Sequence, residues 1–218
     1  MRVNRQSTAA IRHAAGKANR WEDHYTRLAR QERYPARSVY KLQEIQGRFA
    51  VIRRGNAVLD LGCAPGSWLI YAADLTGPAG RVVGVDLTPV TVRLAAHISV
   101  LTKDVFELVD DPAAFFGQEF DVVLSDMAPA TTGSRGVDAA RSQHLCEAAL
   151  AIARKVLRPG GAFVCKIFQG GDFNAFTAAV KASFAEPKIF KPQSCRKASK
   201  EIYIIGKGKT GGSHVRSQ

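Results

Sequence analysis

Apolar positions fall into two patterns along this chain. Short unbroken runs, Ala57 to Leu61, Arg81 to Asp86, Phe120 to Ser125 and Ala162 to Ile167, are rich in Val and bounded by Gly, Pro or Asp. Such runs predict buried strands. His97 to Leu101 is a further candidate, and Lys188 to Phe190 and Ile202 to Ile205 are two late ones. Between them the spacing turns helical. Val39, Leu42, Ile45 and Phe49 mark a helix over 37–50, and residues 21–33 read as a helix before it, the two split by Pro35. Ser67 to Leu75 is helical up to Gly77-Pro78, Ala139 to Leu157 up to Arg158-Pro159-Gly160-Gly161, and Asn174 to Phe184 closes the series.

Strands alternating with helices imply parallel βαβ units. The fold expected is therefore a doubly wound, Rossmann-like α/β domain with a mostly parallel seven-stranded sheet. The last two strands are joined by a turn and loop, which suits an antiparallel addition at one edge. One domain is expected over residues 21–208, with a flexible basic arm over 1–20 and a disordered tail over 209–218.

Charge adds a functional hint. The net charge is +12 over 218 residues, and it is unevenly spread. Residues 1–50 carry an excess of +7, residues 181–218 another +7, and the middle −2. A near-neutral body with basic flanks suits a core that does chemistry while the flanks hold a polyanion. Solubilising charge is the alternative reading. No run reaches the length of a membrane span, so no membrane role is expected. Met1 to Arg20 lacks the apolar stretch of a secretory signal, and an organelle transit peptide ranks behind a basic RNA-binding arm. Cys63, Cys146, Cys165 and Cys195 are widely spaced with no Cys-x-x-Cys pair, so neither a metal site nor a disulfide framework is expected, and a reducing cytoplasm fits.

The segment Asp60-Leu61-Gly62-Cys63-Ala64-Pro65-Gly66-Ser67-Trp68 puts a glycine-rich turn between the first strand and a helix. Ligands of such folds lie beyond the carboxyl ends of the strands. Gly62 and Gly66 permit close backbone approach, and Asp86, ending the second strand, can accept both hydroxyls of a ribose. The dinucleotide fingerprint G-x-G-x-x-G is absent. Asp60 would repel a pyrophosphate but suits a cofactor carrying an ammonium and a sulfonium, which is S-adenosylmethionine. Asp104 is a candidate contact for an adenine amino group, with a solvated loop Asp as the alternative.

At this point the chain resembles the FtsJ/RrmJ-type ribosomal RNA large-subunit methyltransferases, over roughly residues 20–208. The resemblance rests on Ala36-Arg37-Ser38-Val39-Tyr40-Lys41-Leu42, the Asp60-to-Trp68 turn, Ser125-Asp126-Met127-Ala128-Pro129, Cys165-Lys166-Ile167-Phe168-Gln169-Gly170, and Arg196-Lys197-Ala198-Ser199-Lys200-Glu201-Ile202-Tyr203. It implies a class I S-adenosylmethionine-dependent methyltransferase fold and a catalytic tetrad of Lys41, Asp126, Lys166 and Glu201. The cofactor contacts implied together by turn and resemblance are Asp60, Gly62, Pro65, Gly66, Trp68, Asp86, Asp104 and Asp126. Members methylate a ribose 2′-hydroxyl, and the bacterial branch acts on a uridine of the 23S RNA A-loop in the large ribosomal subunit. Cys63 stands where a small residue such as Ala is usual, and Cys195 interrupts a Ser-Arg pair. A monomer working in the cytoplasm is expected.

The chemistry of these residue types agrees. A ribose hydroxyl needs a base that removes its proton as it attacks. A lysine serves only when burial or a neighbouring cation lowers its pKa. Lys166 ends an apolar strand, so it must point at a site. Lys41 and Glu201 alone would read as surface charge; only the resemblance promotes them. Asp126-Met127-Ala128-Pro129 lacks the aromatic with which exocyclic-amine methylases grip a base, and no cysteine is placed as a C5 nucleophile. Arg33, Arg37, Arg53, Arg54, Lys191, Arg196, Lys197 and Lys200 are candidate phosphate contacts. Tyr25, Tyr34 and Phe168 are candidates to stack on bases, core packing being the alternative. A transfer RNA or cap ribose methyltransferase, and a non-catalytic ribosome-assembly factor, remain as other readings.

Overall fold

The computed structural model describes residues 24–129, 132–133, 135–170, 173–196 and 199–211. The predicted arm over 1–20, most of the predicted tail, and Lys197 lie outside the described residues. Two helices, α1 (His24–Gln31) and α2 (Val39–Phe49), precede the sheet. Then follow β1 (Ala57–Leu61), α3 (Ser67–Thr76), β2 (Arg81–Asp86), β3 (Ile98–Thr102), α4 (Pro112–Phe116), β4 (Phe120–Ser125), α5 (Arg135–Val156), β5 (Leu157–Phe168), α6 (Phe173–Lys181), β6 (Phe184–Phe190) and β7 (Glu201–Lys209). The strands form one seven-stranded sheet in the order β3-β2-β1-β4-β5-β7-β6. Neighbours from β3 to β5 run parallel, and β7 runs antiparallel to both β5 and β6. The antiparallel strand thus sits one place in from the margin. The outermost β6 contains Pro187, which has no N–H to give and is tolerated where one side of a strand is unpaired.

Strand parity divides the core between the two faces. Leu59, Leu61, Val83, Val85, Val123, Phe163 and Cys165 pack against Ala149, Ile152 and Ala153 of α5 and Phe176 of α6. Val58, Val82, Val122, Leu124, Val164, Tyr203 and Ile205 pack against Leu42 and Ile45 of α2 and Trp68, Leu69 and Ala72 of α3. Asp60, Asp86, Asp126 and Lys166 have the parity of the second set. They therefore emerge on the face covered by α2 and α3, at the carboxyl ends of the parallel strands.

Several predicted boundaries move. α5 starts at Arg135 and ends at Val156, because Leu157 already pairs with Phe120 before the 158–161 excursion interrupts the ladder. Gly160 supports that excursion with φ of 80°. β7 continues to Lys209, so the tail predicted from 209 begins too early: Lys209 donates its ammonium to the Leu157 carbonyl, and Thr210 N–H bonds to Ser183 O at 3.0 Å. A 3₁₀ turn over Val105–Leu108 and the short helix α4 were not predicted; each is capped by an aspartate side chain, Asp104 and Asp111.

β7 approaches β6 closely at Gly206, where an added Cβ would lie 2.5 Å from Cγ of the fully buried Phe184. The Phe184 ring stacks on Phe163 at 5.8 Å and has no room to retreat. Gly206→Ala should therefore destabilise the protein by about 1–3 kcal/mol, the usual cost of overpacking, as read from urea unfolding.

Candidate active site

The strand order reverses between β1 and β4, since β1 leads on one side to β2 and β3 and β4 leads on the other to β5. In such sheets the crevice at that switch point is where ligands bind. Here the Gly62 turn leaves β1 with φ of 80°. Its N–H bonds to Val85 O at 2.8 Å, and a Cβ would strike Met127 at 2.5 Å. Only glycine lets the β1 and β4 loops come this close. Gly66, at φ of 111°, then opens α3. Beyond the turn lies a cleft of about 370 Å³, lined by Gly62, Asp86, Leu87, Asp104, Phe106 and Asp126 among others.

Three carboxylates, Asp86, Asp104 and Asp126, line the cleft, and a fourth, Asp60, lies beneath it. Asp86 accepts Ala64 N–H at 2.9 Å on one oxygen and Thr88 N–H at 2.7 Å on the other, so it shapes the turn while it lines the cleft. Asp104 caps the 3₁₀ turn with one oxygen, accepting Phe106 N–H at 3.0 Å. Asp60 is completely buried beneath the turn, and neither of its carboxylate oxygens has a hydrogen-bond partner. Burial first, and then the nearby charges of Asp126 and Asp86, hold its carboxyl well above the usual carboxylate range. A site that gathers uncompensated acid in this way fits a cationic ligand.

The neighbouring basin, about 490 Å³, is lined by Arg37, Ser38, Lys41, Phe168, Arg196, Ser199 and Glu201. The four predicted catalytic residues meet around its edge as two ion pairs. Lys41 Nζ lies 2.9 Å from Glu201 Oε1, and Lys166 Nζ lies 3.1 Å from Asp126 Oδ1. The Lys166 side chain is only 6% exposed, and its ammonium also donates to the Asp126 carbonyl. Sheet register explains the meeting. Lys166 pairs with Tyr203 across the β5–β7 ladder, and Glu201 lies two residues away on the same face. Asp126 follows one position beyond the Ser125–Cys165 pair. Lys41 reaches them from α2 above.

Tyr203, unassigned by sequence reasoning, completes the group. Its hydroxyl donates to Asp126 Oδ1 at 2.5 Å, and its ring lies 6.0 Å from Trp68. Burial and the Asp126 charge raise its pKa well above that of a free phenol. Its parity with Glu201 and its place opposite Lys166 were the available signals, but they need the β5–β7 register to be read.

Comparison with known proteins decides the family. The model of the FtsJ-like methyltransferases matches residues 34–209. The chain belongs to the FtsJ-like methyltransferase family. A protein of Desulforapulum autotrophicum named ribosomal RNA large subunit methyltransferase E is 62% identical over 88% of this chain and 95% of its own length. One of the same name from Desulfatibacillum aliphaticivorans is 55% identical over 91% and 96%. Among solved structures, a Plasmodium falciparum protein described as a ribosomal RNA methyltransferase superposes with a TM-score of 0.70 at 23% identity, covering 82% of this chain and all of that one. Aeropyrum pernix fibrillarin, solved with bound S-adenosyl-L-methionine, gives 0.59 at 18%, covering 78% and 76%. These two support the fold. As an FtsJ-like methyltransferase the chain is an S-adenosylmethionine-dependent enzyme, and the acidic cleft suits that cation.

The structure brings some of the predicted contacts to the cleft and places others away from its lining. Trp68 does not present its side chain to the cleft: it is buried, donates Nε1–H to Ser38 O at 2.9 Å and ties α3 to the start of α2. Pro65 and Gly66 shape the turn without lining the cleft, and Asp60 lies below it, acting on the site through its charge. Arg53 and Arg54 lie at the other end of the sheet, because the chain enters β1 at its amino end directly after them. Arg53 lies beside Asn56, Asp121 and Arg158 there, and the Arg54 guanidinium lies near Gly77 at the far end of α3. Arg37 and Arg196 line the basin, Lys191 and Lys200 are exposed on the adjoining loop, and Arg33 is exposed at the end of α1. Of the three candidate stackers, Phe168 lines the basin, whereas Tyr25 and Tyr34 pack on the α1–α2 cluster. All four cysteines are buried, and none is in a disulfide. No helix among the described residues is long and apolar enough to cross a membrane.

Two predictions follow from the carboxylates. Asp86→Ala should weaken S-adenosylmethionine binding by about 1–3 kcal/mol by calorimetry; unchanged affinity would remove Asp86 from the cofactor site. Asp60, with a folded-state pKa raised above 3.8, binds a proton more readily folded than unfolded. It therefore favours folding below its unfolded pKa and loses that contribution as pH rises. Asp60→Asn should raise the melting temperature of the cofactor-free enzyme at pH 8 and change it little near pH 4 (the unfolded value being about 3.9).

Proposed function

We propose that this enzyme methylates a ribose 2′-hydroxyl of RNA, a uridine in the A-loop of 23S RNA within the large ribosomal subunit. The observation that carries this reading is the pairing of Lys41 with Glu201 and of Lys166 with Asp126 at the junction between an acidic cleft and a basic basin. Arg37 and Arg196 on the basin walls suit phosphates, and Phe168 suits a base. The relatives named for large-subunit ribosomal RNA favour that substrate over transfer RNA or a cap. The enzyme acts as a monomer in the cytoplasm, where that subunit is assembled.

Asp86, Asp104 and the Gly62 turn would hold S-adenosylmethionine, which when bound would supply an electrophilic methyl group. The ribose hydroxyl enters from the basin. Lys41, held by Glu201, hydrogen-bonds its oxygen, and Lys166 Nζ stands as the acceptor of its proton. Asp126 fixes that amine with its side chain and main chain, and Tyr203 fixes Asp126. Low exposure around both pairs keeps water from competing for the proton.

Lys166→Ala should retain cofactor affinity and lose about 10²–10⁴-fold in single-turnover rate on large subunits. Lys166→Arg should fail nearly as badly, because a guanidinium does not give up its proton near neutral pH. An arginine variant at the wild-type rate would make residue 166 an electrostatic clamp instead of a base.

A further inference from the structure

Beside the catalytic basin, on the outer side of α2, lies a second and wider groove of about 790 Å³. Its walls are Tyr25, Arg48, Phe190 and Lys191, and Gly47 lies on its floor. The two depressions adjoin along the 191–199 loop: Lys191, on the groove side, donates to the carbonyl of Ser199, on the basin side, at 2.8 Å. Arg37 joins them at another point, lining the basin while its guanidinium lies 5.5 Å over the ring of Tyr25.

The lining is chemically consistent. Arg48 lies over Phe49 at 5.8 Å and over Phe190 at 5.5 Å, the two rings meeting edge to face at 79°, which makes a cation–aromatic cluster on the groove wall. Lys191 extends the positive charge. Glu44 also lines the groove, but both its oxygens are turned to backbone donors, and Glu32 nearby is engaged as well. Glu44 accepts the N–H groups of Gln193 and Ser194 at 2.6 and 2.8 Å, one on each oxygen, and Glu32 accepts the Tyr40 hydroxyl at 2.9 Å. Gly47 supplies an independent sign. It stands inside helix α2, where glycine disfavours the helix, and a Cβ there would meet nothing within 4 Å. Among the described residues no packing calls for a glycine at that position, and its lack of a side chain leaves the groove floor bare.

We propose that this groove holds the single-stranded RNA flanking the methylated nucleotide, with bases against the Arg48–Phe190 surface and phosphate on Lys191. Aromatic and arginine faces with intervening lysines are how proteins hold single strands without reading sequence. The proposal rests on the ribose-methylation reading and extends it, since it gives the strand a path leading out of the basin past α2.

The test is steady-state methyl transfer to large ribosomal subunits isolated from a bacterial strain lacking the modification, using the full chain and two variants. Gly47→Gln fills the groove floor while improving helix propensity, so its melting temperature should equal or exceed the wild-type value. Its KM for subunits should rise about tenfold, with the loss in KM rather than in kcat. Arg48→Ala should act in the same direction, and both variants should also bind protein-free 23S RNA less tightly. A folded Gly47→Gln variant with KM within about twofold of wild type would overturn the proposal. So would a raised KM on subunits with undiminished binding to protein-free RNA, which would assign the groove to a ribosomal protein. Failure of the wild-type enzyme to modify subunits at all would overturn the ribose-methylation reading, and this proposal with it.

Discussion

A lysine ammonium that is almost wholly buried must be met by fixed oxygen atoms, and the candidate site is organised around that requirement at Lys166. Its exposure is 6%, and Asp126 answers with a carboxylate oxygen and a main-chain carbonyl. Losing a partner from such a pair leaves an uncompensated charge, which is far costlier than the pair itself is stabilising. The arrangement therefore needs its surroundings to be rigid. Tyr203 supplies this by bonding Asp126 from a fully buried position, and Trp68 supports Tyr203 while bonding the start of α2. The same helix carries Lys41. One chain of contacts thus ties β4, β5, β7, α3 and α2 into a single support for two ion pairs.

The carboxylates on the cofactor side work by the opposite logic. Asp60 is buried with no partner, beside Asp86 and Asp126, and this crowding of acid is unfavourable until a cation arrives. A cofactor carrying a sulfonium and an ammonium suits such a place. The acidic cleft and the basic basin open on one face of one sheet, with Asp126 lining the cleft and pairing with Lys166. Strand parity gathers them there: residues with the parity of Val58, Val122 and Val164 all turn toward α2 and α3.

Much of this was legible in the sequence because it lies at strand ends. Asp60, Asp86, Asp126 and Lys166 each lie at or near the end of an apolar run, and such runs are easy to recognise. Glycines 62 and 66 mark the turn for the same local reason. What could not be read depends on register or on direction in space. Trp68 follows the turn in sequence, yet as part of the first turn of α3 it points away from the cleft. Arg53 and Arg54 flank the same strand as the active site, but at its amino end. Lys41 and Glu201 look like surface charges until the β5–β7 pairing and the placement of α2 bring them within 2.9 Å. Glu44, which pins the loop before β7 through Gln193 and Ser194, carries no sequence signal at all.

The central claim is that these residues direct the methyl group to a ribose oxygen and not to a base. The most direct measurement is the chemical position of the transferred methyl. Large subunits labelled by the purified enzyme with radioactive S-adenosylmethionine can be hydrolysed in alkali, which cleaves RNA only where a 2′-hydroxyl is free. The account predicts that the label is recovered in one alkali-resistant dinucleotide carrying 2′-O-methyluridine. Label recovered in ordinary mononucleotides, on a methylated base, would contradict it.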